Sequence, residues 1–146
     1  IINMNELNTL EKIVVYFKKV NCYGKENCCF VCSTIQSTQF GLIGALISMK
    51  KNKKVMGYLL NKNENGICLI PIVAETMTKN KIDPDNYIFI KNEDIDKVII
   101  KNEEIGFKRI KILLKDKNKY VLKAAKRIIN VDYHKENLDK FIGMYK

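Results

Sequence analysis

Apolar and polar residues alternate with a period of two along the last third of the chain, which is the pattern of β-strands with one buried face. Within residues 107–115, Ile110, Ile112 and Leu114 fall on one side, and mostly basic residues fall on the other. The alternation resumes over residues 120–124 after a short polar turn, so we predict an antiparallel hairpin. Two apolar runs upstream predict two further strands, at 87–90 and 95–101.

The end of the chain changes to the helical period. One apolar stripe with the spacing i, i+3, i+4 and i+7 is formed by Leu138, Phe141, Ile142 and Tyr145. We expect Asp132 to cap this helix, because its carboxylate can accept hydrogen bonds from the exposed N–H groups of the first turn. A lone helix of this length is marginal in water, so its stripe should be buried against the open end of a curled sheet.

A second amphipathic helix is predicted near the start of the chain. Its main face holds Leu7, Leu10, Val14 and Phe17, with Ile13 and Val20 beside it. Asn3 or Asn5 could provide its N-cap. We favour a helix that packs on its own sheet, since a single amphipathic helix usually covers its own core. The alternative is a helix that binds a partner or a second copy.

The middle of the chain predicts three more strands, at 28–35, 55–61 and 67–72. Asn65 and Gly66 suit the positive φ angles of a tight hairpin between the last two. Pro71 has no N–H group to donate to a ladder, so its end of the strand should lie at a sheet edge or a bulge. Residues 75–86 are polar and resemble a linker that ends in a turn.

About seven antiparallel strands with a helix at each end indicate a mainly β, α+β fold, in which the C-terminal helix caps a bent sheet or barrel. With 146 residues, 47% of them hydrophobic, the chain can build one proper core. We therefore predict a single domain over residues 1–146, with a helical segment at 1–24 and the core at 28–145.

The net charge of +10 says little by itself, because lysine, asparagine and isoleucine are abundant throughout the chain and base composition alone can produce this bias. Arginine occurs only at Arg109 and Arg127, whereas proteins that read nucleic-acid bases usually use arginine for bidentate contacts. No exposed aromatic residues are interleaved with the lysines to stack on bases. We predict no specific binding to nucleic acid.

Residue types that carry catalysis or bind metals occur without a usable pattern. Cys29 and Cys32 form a lone C-x-x-C pair, and residues three apart on a strand point to opposite faces, which is poor geometry for one metal. The single histidine, His134, fits a helix start better than a general base. No acid, base and nucleophile fall together. We predict no enzyme activity, no metal and no other cofactor.

Neither a signal peptide nor a membrane span is visible in the sequence. The N-terminus lacks a basic region followed by an apolar run, and no apolar run approaches the roughly 20 residues that span a bilayer. We expect a cytoplasmic protein whose five cysteines are free thiols. The chain begins with Ile1 rather than Met, which leaves open whether residues precede it.

The segment 40–54 is the one candidate interaction surface, because an apolar run rich in small residues is followed at once by lysines. Its candidate contact residues are Phe40, Leu42, Ile43, Leu46, Ile47, Lys50, Lys51, Lys53 and Lys54. The run could be a buried core element, an apolar loop that docks on a second copy, or a loop that touches an anionic membrane. Exposed on a monomer, it would form an apolar patch that soluble proteins usually avoid.

Several parts of the chain resemble bacterial proteins with a pleckstrin-homology-like (PH-like) domain. They are the strand 58–61 with Gly66–Pro71, the block 87–122, Tyr133–Leu138 before the last helix, and the apolar segment 41–47, which is similar to a glycine-rich insert in some members. The resemblance covers residues 28–145 and implies a bent antiparallel sheet with a C-terminal helix. Members of this kind offer no catalytic residues to carry over.

The resemblance also bears on the ligand. Lipid-binding PH domains hold phosphoinositides with basic residues around the first strand–strand loop and on the second strand. In this chain the loop contains Lys50, Lys51, Lys53 and Lys54, but residues 55–58 of the second strand supply no basic residue. We therefore expect a non-catalytic binding or scaffolding module of unknown ligand that forms a homo-oligomer through residues 40–49. A different protein as partner is also possible. The alternative is peripheral binding to anionic lipid through residues 40–54.

Overall fold

The computed structural model describes residues 6–34, 55–76 and 79–146. In chain order its regular elements are helix α1 (Leu10–Lys19), strands β1 (Asn27–Thr34), β2 (Val55–Asn63), β3 (Gly66–Ala74), β4 (Asn80–Ile82), β5 (Ile88–Lys91), β6 (Ile95–Asn102), β7 (Phe107–Leu114) and β8 (Lys119–Ala125), and helix α2 (Asp132–Met144). Short 3-10 turns at Pro84–Asn86 and Asn92–Asp94 connect β4 to β5 and β5 to β6.

The strands of the described part form one antiparallel sheet in the order β4-β3-β2-β1-β8-β7-β6, with β5 also paired to β3. Two meanders meet where the end of β1 pairs with β8, at Ser33 with Lys123 and at Thr34 with Leu122. The predicted mainly β fold with a helix at each end is confirmed, with eight strands instead of about seven. Within the described residues the sheet does not close into a barrel, because β4 and β6 end the order unpaired with each other.

One face of the sheet encloses the main hydrophobic core. Leu69 of β3 and Val98 of β6 belong to the same core, although four strands separate β3 from β6 in the sheet order, so the sheet bends around it. Strand β1 contributes Cys28, Phe30 and Cys32, which are alternate residues, as the period of a strand requires.

Helix α2 covers this core with the predicted stripe. Leu138 and Phe141 are fully buried, and the Phe141 ring meets the Phe30 ring edge-on with 5.2 Å between their centroids. Ile142 and Tyr145 pack against the same core but keep part of their surface exposed. The helical period therefore identified the buried side of α2 correctly.

Helix α1 lies on the opposite face of the sheet, against β1 and β3. Ile13 and Phe17 are buried in a second cluster that includes Leu59 of β2, so the expectation that this helix covers its own sheet is confirmed. Leu10, which was predicted on the same face, is largely exposed, whereas Leu7 is buried before the helix begins.

Both predicted helix caps are wrong. Thr9, rather than either predicted asparagine, is the N-cap of α1, and its Oγ1 accepts a hydrogen bond from the Lys12 N–H at 3.4 Å. At α2, Val131 takes the cap position without a side-chain hydrogen bond, and Asp132 is the first helical residue. The Asp132 carboxylate is still favourable there, because it faces the partial positive charge of the helix N-terminus.

The hairpin between β2 and β3 lies where it was predicted, but a different interaction holds it. Among the described residues, φ is positive at Asn21, Gly106, Lys117 and Asn130, and thus not at the predicted turn. The Asn63 Oδ1 instead accepts hydrogen bonds from Asn65 N–H (2.8 Å) and Gly66 N–H (3.2 Å). Gly66 is needed for close approach, because a Cβ there would overlap the carbonyl oxygen of Ile90 on β5.

The region 75–86, predicted to be a linker, contains β4. Pro71 lies where β3 changes neighbours, after the last pair with β5 (Leu69 with Ile88) and before the first pair with β4 (Ile72 with Ile82). Pro71 pairs with Tyr58 of β2, but it has no ladder partner on the other side of β3, which confirms the predicted edge position. On that side its carbonyl accepts a hydrogen bond from Asp83 N–H at 2.8 Å. A three-residue polar strand has too little pattern to be recognised from sequence.

We predict that Phe141→Ala lowers the free energy of unfolding by about 3–5 kcal/mol, because it removes a fully buried aromatic ring and leaves a cavity. The matched control on the same helix is Met144→Ala, where the side chain is 46% exposed, and the change should stay within about 0.5 kcal/mol. Urea denaturation followed by circular dichroism measures both. Equal effects of the two substitutions would show that α2 is peripheral to the core.

Candidate binding surfaces

The surface favoured by the sequence lies outside the described residues. Strand β1 ends at Thr34 and β2 begins at Val55. The candidate contact residues between them are Phe40, Leu42, Ile43, Leu46, Ile47, Lys50, Lys51, Lys53 and Lys54. Their predicted role in self-association or lipid binding stays a prediction.

A buried polar cluster joins β1, β2 and the loop after α1. The Asn61 side chain is fully buried, and its Oδ1 accepts hydrogen bonds from Cys28 N–H (3.0 Å) and Cys29 Sγ (3.2 Å). Its Nδ2 donates to the Cys22 carbonyl (2.8 Å) and to Asn27 Oδ1 (3.0 Å). Every hydrogen-bonding position of the amide is thus used within the fold, so this cluster is structural. No local sequence pattern indicated this cluster, because asparagine near a strand end usually belongs to a turn.

The cysteines are free thiols inside the protein. Cys32 belongs to the inner core and Cys29 to the cluster beneath α1, so the prediction that this pair faces opposite sides of the strand is confirmed. Burial raises the pKa of the Cys28 thiol to about 11 and the pKa values of Cys29 and Cys32 to about 12, and it also raises the pKa of Cys68. Thiols held protonated in this way act as small hydrophobic side chains.

His134 lies at the start of α2, as predicted, and its ring is fully buried. Its Nδ1 accepts a hydrogen bond from Val31 N–H at 3.4 Å, which places the proton on Nε2, 2.6 Å from the Ala125 carbonyl that accepts it. Burial lowers the pKa of His134, although the Ala125 carbonyl partly offsets this effect. Sequence position alone could not show that the imidazole connects α2 to β1 and to the end of β8.

An open cleft of about 670 Å³ lies between β5 and the β7–β8 turn. Its apolar side is formed mainly by Ile88, Phe89, Leu114 and Tyr120. Its polar side carries charges of both signs, from Asp94, Lys115, Asp116 and Lys119, with Asn118 beside them. Lys115 N–H donates to the Asp94 carbonyl at 3.0 Å, which connects the β7–β8 turn to the turn after β5.

Strand β5 gives this cleft an additional property. Its one ladder neighbour in the described part of the chain is β3, so the backbone groups on its other edge have no strand partner. Unpaired strand edges are where extended peptides bind by adding a strand. The sequence predicted β5 but gave no sign that it borders a cleft, since Phe89 and Tyr120 come from elements distant in the chain.

A second, mostly apolar groove of about 300 Å³ lies on the outer face of the sheet. Its lining includes Val31, Ser33, Met56, Gly57, Phe107 and Ile128. Gly57 lines this groove at a point where β1 and β2 lie so close together that a Cβ would overlap the Cys32 carbonyl oxygen. The groove therefore depends on the close approach of β1 and β2.

Comparison with known proteins adds no further constraint, since the chain matches no protein-family model, no curated protein and no solved structure. In the ranges that the structure covers, no helix is both long and apolar enough to cross a bilayer. No group of three or more histidine, cysteine or acidic side chains among these residues could hold a metal ion.

We predict that the stability of the protein depends on pH through His134. In the unfolded chain the imidazole protonates near its ordinary pKa of 6.5, whereas the folded state keeps it neutral to lower pH. The stabilisation is therefore complete above pH 6.5 and is lost as pH falls through the lowered pKa. Unfolding free energies of the wild type and of His134→Gln, measured from neutral to mildly acidic pH, should differ most at neutral pH. A difference that is constant over this range would contradict the assignment, since the chain has no other histidine.

Proposed function

We propose that this protein is a non-catalytic binding module with a PH-like fold, and that it holds an extended segment of a partner protein in the cleft beside β5. The observation that carries this proposal is the combination of an open cleft of about 670 Å³ with an unpaired strand edge. Its volume lies in the range of ligand-binding pockets, roughly 300–1,000 Å³.

The lining of the cleft supports a peptide as the ligand. Phe89 and Ile88 offer apolar contact to one side chain of an extended segment, while Asp94 and Lys119 can pair with charges or polar groups of either sign. In strand addition, main-chain hydrogen bonds supply much of the affinity and pockets for alternate side chains supply the specificity. The cleft offers both kinds of contact.

The positions of the reactive groups support a module without catalysis. His134 uses both ring nitrogens on backbone groups, and the thiols are buried and protonated. None of these groups lines the cleft. An imidazole or thiol that substrate cannot reach supplies neither a general base nor a nucleophile.

The PH-like assignment is supported by the arrangement that the resemblance implies. A bent antiparallel sheet made of two meanders is followed by one helix, α2, that packs on its inner face. We further propose a cytoplasmic location, which five free thiols favour because reducing compartments preserve them.

The peptide-binding proposal is tested by one substitution in the cleft and a matched control. Peptides selected from a random library on the wild-type protein should lose about tenfold or more in affinity for Phe89→Ser, because that ring supplies the apolar contact. Tyr23→Ser is the control, since Tyr23 and Phe89 are both 37% exposed and Tyr23 lies outside the cleft.

Undiminished binding to Phe89→Ser, or equal loss in both variants, would contradict the cleft as the binding site. Two-dimensional amide spectra of the complex provide an independent check. The largest shifts should fall on residues 88–91 of β5, because strand addition changes the hydrogen bonding of its edge.

Self-association through residues 40–49 is a second part of the proposal, motivated by the apolar run and its lysine flank. We expect a homo-oligomer that Leu46→Asp converts to a folded monomer, because a carboxylate inside an apolar contact is costly. Analytical ultracentrifugation and circular dichroism measure the two properties. Unfolding of the variant would indicate internal packing instead, and a monomeric wild type that sediments with anionic vesicles only at low salt would favour the lipid alternative.

A further inference from the structure

The outer face of β6, β7 and β8 concentrates positive charge in a regular pattern. Alternate residues of these strands point into the core, so the others form the outer face. The register places Lys97, Leu113 and Lys119 in one row across the strands. The next rows are Ile99, Lys111 and Val121, and then Lys101, Arg109 and Lys123. We call these nine residues the basic face.

The fold neutralises only one end of the basic face. Glu103 and Glu104, in the turn between β6 and β7, form ion pairs with Arg109 and Lys123. The other four cations have no ion-pair partner among the described residues, and they are Lys97, Lys101, Lys111 and Lys119. Apolar residues lie opposite Lys97, Lys111 and Lys119 on the neighbouring strands, and the one row of like charges is the row that contains Arg109 and Lys123. The four unpaired cations are therefore available to a ligand of opposite charge.

The described part of the chain leaves the basic face uncovered. The cluster beneath α1 takes its strand residues from β1, β2 and β3, together with Val131 and Tyr133 at the start of α2, and it includes none from β6, β7 or β8. Ile99, Leu113 and Val121 are half-buried between the lysines, so they offer flat apolar contact but no protruding side chain.

We propose that the basic face docks an acidic segment of a partner protein, in which carboxylates are interspersed with apolar residues. Such a segment matches the alternation of unpaired lysines with half-buried aliphatic side chains, as protein interfaces combine apolar and complementary charged contacts. A shallow depression of about 100 Å³, lined by Ile99, Lys101, Arg109 and Lys111, offers a place for one carboxylate side chain.

Other occupants fit the same surface less well. Single-stranded nucleic acid stacks its bases on aromatic rings, but Phe107, the aromatic residue at the end of this face, lies beneath the Lys123 ammonium group, 4.4 Å from the ring centroid. An anionic bilayer takes up protruding apolar side chains. Ile105 protrudes at the β6–β7 turn with full exposure, but it directly follows Glu103 and Glu104, which anionic lipid repels. A second copy of the same face would repel it by charge.

The test uses a fluorescein-labelled peptide that repeats Glu-Leu-Glu-Glu and a matched peptide that repeats Gln-Leu-Gln-Gln. Binding is measured by fluorescence anisotropy at about 50 mM and about 300 mM NaCl, since electrostatic contacts weaken with screening. The wild type should bind the acidic peptide at low salt, lose about tenfold in affinity at high salt, and bind the glutamine peptide at least tenfold more weakly.

The decisive variant is Lys97/Lys101/Lys111→Gln, which should lose about tenfold in affinity for the acidic peptide. Its control, Lys19/Lys81/Lys146→Gln, also removes three positive charges, but from exposed positions outside the basic face. The control should keep the affinity within about threefold. Circular dichroism verifies that both triple variants are folded. Lys119 is left unchanged because it also lines the cleft, and Phe89→Ser should bind the acidic peptide normally, so this proposal and the proposed function can fail separately.

Several results would overturn the proposal. Equal loss in the two triple variants would show that net charge alone attracts the peptide. If the wild type does not bind the acidic peptide at low salt, an acidic protein segment is not the partner of this face. Face-dependent binding of oligothymidylate, or of phosphatidylcholine vesicles with about one third phosphatidylserine, that is tighter than peptide binding would assign the surface to nucleic acid or lipid instead.

Discussion

Strand β1 is the element on which every layer of this protein depends, because it is buried on both faces. Cys28, Phe30 and Cys32 point into the core beneath α2, while Cys29 belongs to the cluster beneath α1. The same strand pairs with β2 along most of its length and joins the two meanders through its last residues. Over residues 28–30 neither side of this strand is solvated, which explains why thiols and an aromatic ring occupy these positions, whereas Ser33 near the end of the strand is exposed.

This two-sided burial determines how the polar groups of the protein are used. Asn61 and His134, two of the few buried polar side chains, each hydrogen-bond to the backbone of β1. These hydrogen bonds connect β2 and the start of α2 to that strand, where an unpaired polar group would be costly. In the described part of the chain, Asn61 and His134 thus make structural contacts, and the two candidate binding surfaces lie on the outside of the sheet.

The open sheet provides those surfaces. Because β6 does not pair with β4 or β5, β5 keeps an unpaired edge beside the cleft, and the outer side of β6–β8 is free of any described helix. Lys119 belongs to both surfaces, since it lines the cleft and ends one row of the basic face. The β7–β8 hairpin therefore connects the two surfaces.

The sequence by itself determined the periods of the chain and the sides that they bury. Period two identified the inner sides of β7 and β8, the helical spacing identified Leu138 and Phe141, and spacing three on a strand separated Cys29 from Cys32, because these patterns depend only on local backbone geometry. The tertiary structure decided everything that needs neighbours distant in the chain. It placed β4 and β5 beside β3, gave Gly66 its role through the carbonyl of Ile90, satisfied Asn61 and His134, and aligned lysines from three strands into one face. Strand order and register arise from packing across the whole sheet, and no local pattern contains them.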